Sequence, residues 1–335
     1  TTLGGFLAAS TTDFIQSIIM SVALIVVLIF GVETAGGIGA VIHNASELPG
    51  YLSMTLSYDV NTGNAAPYSA LTIVSTAAWG LGYFGMPHIL LRFMAIEDEK
   101  KLKLSRRVAT IWVVISLFVA VFIGVIGYTM SKVGALEMLT GSNSETIIVK
   151  ISALLSQHGV IFALLAGVIL AGILASTMST SDSQLLAASS AVSSDILGAF
   201  RKDSSNKNGS MAAARITLLV ISVVAAFIAR NPDSSVFAIV SFAWAGFGAA
   251  FGPVVLFSLF WKRTNKWGAL AGMVCGGSMV FIWKYLIRPL GGIWNIYELL
   301  PAFLIACAAI VIVSLLTPKP SKEIEEEFDR VAQMK

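Results

Sequence analysis

Residues 79–88 read WGLGYFGMPH, inside a stretch otherwise apolar enough to cross a membrane. Three glycines loosen the backbone, and Pro87 cannot donate an amide hydrogen bond, so the helix is expected to be interrupted around 80–87. In hydrocarbon every freed N–H and C=O needs a partner. An interruption survives there only where it is buried in protein or lines a cavity. Such a break near the midplane frees carbonyls and half-helix ends to bind ions or small polar solutes. Trp79 and Tyr83 are four residues apart, which puts them on one face of an α-helix, and Pro87 continues the row. The alternative is a kinked helix whose glycines pack tightly against neighbours.

The rest of the chain fits a membrane setting. Of its 335 residues, 56% are hydrophobic and 12% charged, and the mean hydropathy is +0.82. A soluble domain of this size carries about twice that charged fraction. An all-α integral membrane protein is therefore expected. The net charge of +3 is too small to argue for nucleic acid. Cys275 and Cys307 fall within apolar runs and read as small buried hydrophobes.

About eight runs reach the length needed for a hydrocarbon core of roughly 30 Å. They cover 12–32, 68–94, 108–131, 158–197, 213–230, 235–261, 267–287 and 296–316. The fourth is overlong, and either projects from the membrane or bends. Lys100, Lys101, Lys103, Arg106 and Arg107 sit in one connection, Arg201, Lys202 and Lys207 in a second, and Lys262, Arg263 and Lys266 in a third. Residues 33–67 contain no Lys or Arg. Alternating crossings put the basic connections on the cytoplasmic face and 33–67 outside, by the positive-inside rule. Lys284 and Arg288 go against this pattern. Residues 1–316 are then the membrane domain, and 317–335 a polar, acidic cytoplasmic tail. The chain opens on TTLGGFLAAS without methionine, which reads as a piece of a longer protein.

Three further stretches carry polar chemistry. STMSTSDSQ (176–184) lies within the fourth run, and seven of its nine residues are hydroxyl or carboxylate side chains. Ser176, Ser179, Thr180 and Ser183 follow i, i+3, i+4, i+7, one face of a helix. Hydroxyls and carbonyls suit a weakly held monovalent cation, although single Ser and Thr residues in membrane helices usually bond back to a carbonyl one turn earlier. Asp182 is an ionisable group at membrane depth, which marks a functional site by default. Asp13, in TTDFIQ (11–16), opens the first run, where an acidic residue in the first turn would favour the helix dipole. Finally, Ala245, Gly248, Ala249 and Gly252 in SFAWAGFGAAFGPVVLFSLFWKR (241–263) permit close helix approach, and Ser241 and Trp244 either pack or face a pathway. No metalloprotease motif or Walker loop is present. A passive channel would need a continuous polar stripe, and a membrane-embedded enzyme a Ser–His or paired-Asp arrangement. His88 is the one histidine beside the expected break.

WGLGYFGMPHILLRFMA (79–95), TLGGFLAASTTDFIQ (2–16), LASTMSTSDSQLLAASSAVSSDI (174–196) and SFAWAGFGAAFGPVVLFSLFWKR all resemble the sodium/solute symporters, in the branch that carries proline. The resemblance runs over essentially the whole chain. It implies a LeuT-like fold of two inverted five-helix repeats plus accessory helices. This chain would hold the end of repeat one, all of repeat two and two accessory helices, with the first core helix outside it. It also implies a bacterial inner-membrane protein that takes up L-proline, or another small amino acid or organic solute, driven by Na+. Lipid, sodium and the solute are then its partners, with no organic cofactor, nucleic acid or obligate protein partner. By this resemblance Ser179 and Thr180 supply side-chain sodium ligands, joined by the carbonyl of Ser176. Trp79, Tyr83 and Pro87 face the substrate. Asp13, Asp182 and Ser183 mark a second sodium or coupling site.

Overall fold

The computed structural model of the chain describes residues 5–59, 61–196, 207–230 and 235–333. Arg201 and Lys202, which enter the charge argument above, lie outside the described residues. The described residues are helical, as expected, apart from one small hairpin. Strands β1 (Leu56–Asp59) and β2 (Asn64–Pro67) pair there. The connection between them turns on Gly63 at φ 68°. The Asp59 carboxylate accepts hydrogen bonds from the Asn61 amide at 2.9 Å and the Thr62 hydroxyl at 3.0 Å. These bonds, the Asn61 amide first, hold the Asp59 carboxyl below its ordinary value.

The chain forms two compact units, Thr1–Ala66 with Ile96–Ser234, and Pro67–Ala95 with Ser235–Lys335. In the first, α1 (Gly5–Thr34), α5 (Leu102–Lys132), α6 (Ile147–Ser156) and α7 (Val160–Ser190) surround a core of Ala23, Val27, Ile123, Ile126, Ile151 and Ile169. A short helix, α2 (Ile38–Ser46), follows α1, and Glu47 at its end pairs with Lys132 at the end of α5. Helix α8 (Lys207–Ile228) completes the unit. Of the two expectations for the overlong fourth run, the structure has one unbroken helix of 31 residues, followed by a π-helical turn over Ala191–Ile196. At 1.5 Å per residue α7 is about 46 Å long, well beyond a hydrocarbon core.

The second unit holds α3 (Ala70–Ala77), a 3-10 segment Ala78–Gly85, α4 (Pro87–Met94), α9 (Val236–Phe260), α10 (Lys266–Ile282), α11 (Leu299–Leu316) and α12 (Lys322–Gln333). Its packing rests on small residues. A Cβ on Gly268, Gly272 or Gly276 would sit 1.9 Å from Ser314 Oγ, 2.4 Å from Ile310 Cγ1 and 2.2 Å from the Ala249 carbonyl oxygen. This row, spaced four residues apart on α10, lets α11 and α9 approach to backbone contact. Cys275 and Cys307, expected to be buried, are half-buried. The acidic tail is helical in α12, and the connection before α10 ties it down. Lys262 pairs with Asp329 at 2.5 Å, and Arg263 donates to the Thr317 carbonyl at 2.7 Å. The two cations that broke the charge pattern are also partnered. Lys284 lies 3.8 Å above the Phe242 ring, and Arg288 pairs at 2.9 Å with Glu298, which is 2% exposed.

Among the described residues, six helices are long and apolar enough to cross a membrane. The remaining two apolar runs give the interrupted segment from Ala70 to Met94 and the shorter apolar helix Ala212–Ile228. The glycine row generates a paired test. Gly276→Ala forces a methyl into the Ala249 carbonyl and should cost about 1–3 kcal/mol, the usual penalty of overpacking. Gly277→Ala meets nothing closer than Ala250 Cβ at 3.8 Å and should leave stability unchanged. Melting in detergent, followed by size-exclusion chromatography, separates the two.

Candidate functional site

The interruption read from WGLGYFGMPH is present, and its form is specific. Residues Ala78–Gly85 wind as a 3-10 helix, Met86 is extended at φ −80°, ψ 112°, and Pro87 starts α4. Proline excludes the α conformation from the residue before it and fits the first helical position, so the break falls at Met86. The 3-10 winding corrects the expected single row. With three residues per turn, Trp79 and Tyr83 stand about a third of a turn apart rather than on one face. Both nevertheless reach the same partner. Trp79 stacks on Trp244 at 5.5 Å between ring centroids and 16°, and Tyr83 meets Trp244 edge-on at 4.8 Å and 84°.

Trp244 therefore organises the aromatic wall. Its Nε1–H donates to the Trp79 carbonyl at 2.9 Å, which satisfies a backbone oxygen of the interrupted segment. The approach requires glycine: a Cβ on Gly82 would fall 1.9 Å from Trp244 Nε1, and one on Gly85 2.3 Å from the Phe247 carbonyl oxygen. Trp79 also lies nearly parallel to Phe237, at 5.5 Å and 12°, and to Tyr297, at 6.0 Å and 15°. Trp79 and Pro87 are half-buried, while Tyr83 is 49% exposed. The sequence had already singled out Trp244, with packing or pathway left open. Phe237 and Tyr297 carried no local signal, because an aromatic near the end of an apolar run ordinarily reads as an interface anchor.

The hydroxyl cluster belongs to the other unit. In α7, Ser179 Oγ and Thr180 Oγ1 donate to the Ser176 carbonyl at 3.1 and 3.4 Å, and Ser183 Oγ donates to the Ser179 carbonyl at 3.0 Å. This is the back-bonding that membrane hydroxyls ordinarily make. A hydroxyl that donates this way keeps its lone pairs for another partner. Asp182 and Ser183 are half-buried.

Helices α1 and α7 lie side by side and run in opposite directions. The Phe30 ring packs on His158 at 5.4 Å, just before α7 begins. Farther along, a Cβ on Gly172 would sit 2.7 Å from Ala23 Cβ. Gly172, Ser176, Ser179 and Ser183 share one face of α7 by steps of three and four, and Ala23, Met20, Gln16 and Asp13 share one face of α1. With equal rise on both helices, Ser179 comes level with Gln16, and Asp182 and Ser183 with Asp13. Asp13 is the ninth residue of α1, which has no acidic residue in its first turn, so the helix-dipole reading of Asp13 does not apply. The amide oxygen of Gln16 is buried without a hydrogen-bond partner. Sequence reading passed over Gln16, although it stands three residues after Asp13 on the same face.

This register predicts that a full-length transporter carrying Gln16→Cys with Ser179→Cys cross-links readily under mild oxidation. Gln16→Cys with Gly167→Cys, about 18 Å away along α7 by helical rise, should not.

The profile of the sodium:solute symporter family matches residues 1–276. The osmoregulated proline transporter OpuE of Bacillus subtilis is 38% identical over 322 residues, covering 96% of this chain and 62% of that protein. The high-affinity proline transporter PutP of Bacillus subtilis is 38% identical over 331 residues, covering 98% of this chain and 65% of that protein. The sodium/proline symporter of Haemophilus influenzae is 39% identical over 336 residues, covering 98% and 64%. The chain thus spans less than two thirds of the length of these relatives. With four collinear motifs and a family match across most of its residues, this chain belongs to the sodium:solute symporter family.

Proposed function

We propose that the protein to which this chain belongs is a sodium-coupled symporter of L-proline, working by alternating access in a bacterial inner membrane. The observation that carries the substrate reading is the aromatic wall on the interrupted segment, Trp79 and Tyr83 gathered about Trp244. A compact, apolar pyrrolidine ring packs well against such a wall, and the half-helix end at Pro87 beside it suits an amino acid's charged ends. The names of the similar proteins point to the same solute.

Sodium is the second substrate. Ser179 and Thr180 supply its side-chain ligands on α7, with the Ser176 carbonyl. That carbonyl accepts both hydroxyls in the present conformation, so ion entry requires the hydroxyls to turn outward. Asp13, Asp182 and Ser183, level with one another on facing helices, form a second sodium or coupling site. Sodium favours the conformation with an ordered solute site, which is population shift through differential affinity. The remainder follows the LeuT-like plan, with eight crossings, residues 33–67 outside, and residues 317–335 in the cytoplasm. The basic connections around 95–107 and 262–266 set this orientation.

The test uses the full-length protein in proteoliposomes. Ser179→Ala or Thr180→Ala should raise the sodium concentration that half-saturates proline uptake about tenfold, with folding little changed; unchanged sodium dependence removes the ligand assignment. Loss of one charge-assisted contact corresponds to a factor of that order. Tyr83→Ala should instead weaken proline affinity, and unaltered affinity counts against its role.

A further inference from the structure

The wall that carries Trp79 is braced from a part of the chain beyond the ten core helices of the proposed fold. Tyr297 stands just before α11, an accessory helix in that plan, and three contacts of its own fix it, beside an ion pair on its neighbour. Its ring lies parallel to Trp79 at 6.0 Å and 15°. Its hydroxyl donates to the Ser241 carbonyl on α9 at 2.6 Å. Its amide donates to Ser75 Oγ on α3 at 3.1 Å, just ahead of the 3-10 segment. Its neighbour Glu298, 2% exposed, takes Arg288 Nη1 at 2.9 Å, and Arg288 Nε holds Asn295 Oδ1 at 2.9 Å. Tyr297 thus touches α3, the 3-10 segment and α9, and its neighbour's buried carboxylate is held by Arg288.

We propose that Tyr297 is a positioning residue for solute binding, setting the plane of the Trp79 indole from the accessory helix through its ring stack and its hydroxyl bond to Ser241. Trp79 packs on Trp244 and Phe237 as well, but those belong to α9, a core helix. Leu299 and Phe303 of α11 pack into the same cluster, and Tyr297, just before that helix, adds the ring stack on the Trp79 indole from this side. If the indole plane sets the shape of the solute site, a small change at Tyr297 alters which solutes fit while leaving sodium binding alone. The inference rests on the assignment of Trp79 to the solute site.

The test compares Tyr297→Phe, Tyr297→Ala and the parent full-length transporter in proteoliposomes, by sodium-dependent uptake of labelled proline and competition by larger- and smaller-ring analogues. Tyr297→Phe keeps the ring and removes one hydrogen bond. It should raise KM about five- to tenfold, the factor that corresponds to a bond of ordinary net strength. Vmax per folded protein and half-saturating sodium should stay unchanged, and the order of competing analogues should shift. Tyr297→Ala should shift it further. A purely structural role would lower the yield of folded transporter while KM and competitor order in the surviving fraction match the parent, and that result overturns the proposal. The phenylalanine variant decides the matter if the alanine variant does not fold. If the parent carries another solute instead of proline, the proline assignment fails separately, and the same ratios are read with the solute it carries.

Discussion

The interrupted segment depends on one hydrogen bond, from Trp244 Nε1–H to the carbonyl of Trp79 at 2.9 Å. An unpaired carbonyl in hydrocarbon costs several kcal/mol, so a helix that loosens into a 3-10 winding needs donors from elsewhere. Trp244 supplies one, and it reaches that position only because Gly82 has no side chain. Gly248 then accepts the backbone of Gly82, where a Cβ would lie 2.7 Å from its Cα, and Gly252 accepts Phe303. The aromatic gathering follows from this sequence of close approaches. The indole that caps the carbonyl also presents a face to Trp79 and an edge partner to Tyr83.

The membrane class, the apolar runs and the interruption were legible in the sequence because each is a local property. Pro87 sets the conformation of Met86 whatever surrounds it, and Gly80, Gly82 and Gly85 weaken the turn before it. The winding of the weakened turn was not legible. An α-helical count put Trp79 and Tyr83 on one face, and the 3-10 winding separated them. Their common partner, 165 residues from Trp79 in the chain, brought them together again. The helix-dipole reading of Asp13 failed for a related reason. Its apolar run begins at 12, but α1 begins at Gly5, so a residue that looked terminal lies two turns inside. Tyr297 and Phe237 were invisible because their stacking on Trp79 joins residues more than a hundred positions apart in the chain.

Hydroxyls in the α7 row illustrate how pattern and geometry share the work. The spacing of Ser176, Ser179, Thr180 and Ser183 placed them on one face, and the structure keeps that face. The antiparallel register against α1 was not in the pattern. It comes from Gly172 against Ala23, and with equal helical rise it brings Gln16 and Asp13 level with the hydroxyls.

Back-bonding of these hydroxyls bears on how fast a cation could leave. At the proposed sodium site Ser179, Thr180 and Ser183 already rest on carbonyls of their own helix, so departure of an ion would leave these three hydroxyls partnered. Rigid, solvent-starved ligands would hold an ion more tightly and give it up slowly. A transporter must empty itself once in every cycle, and ligands with a second resting place make turnover compatible with capture.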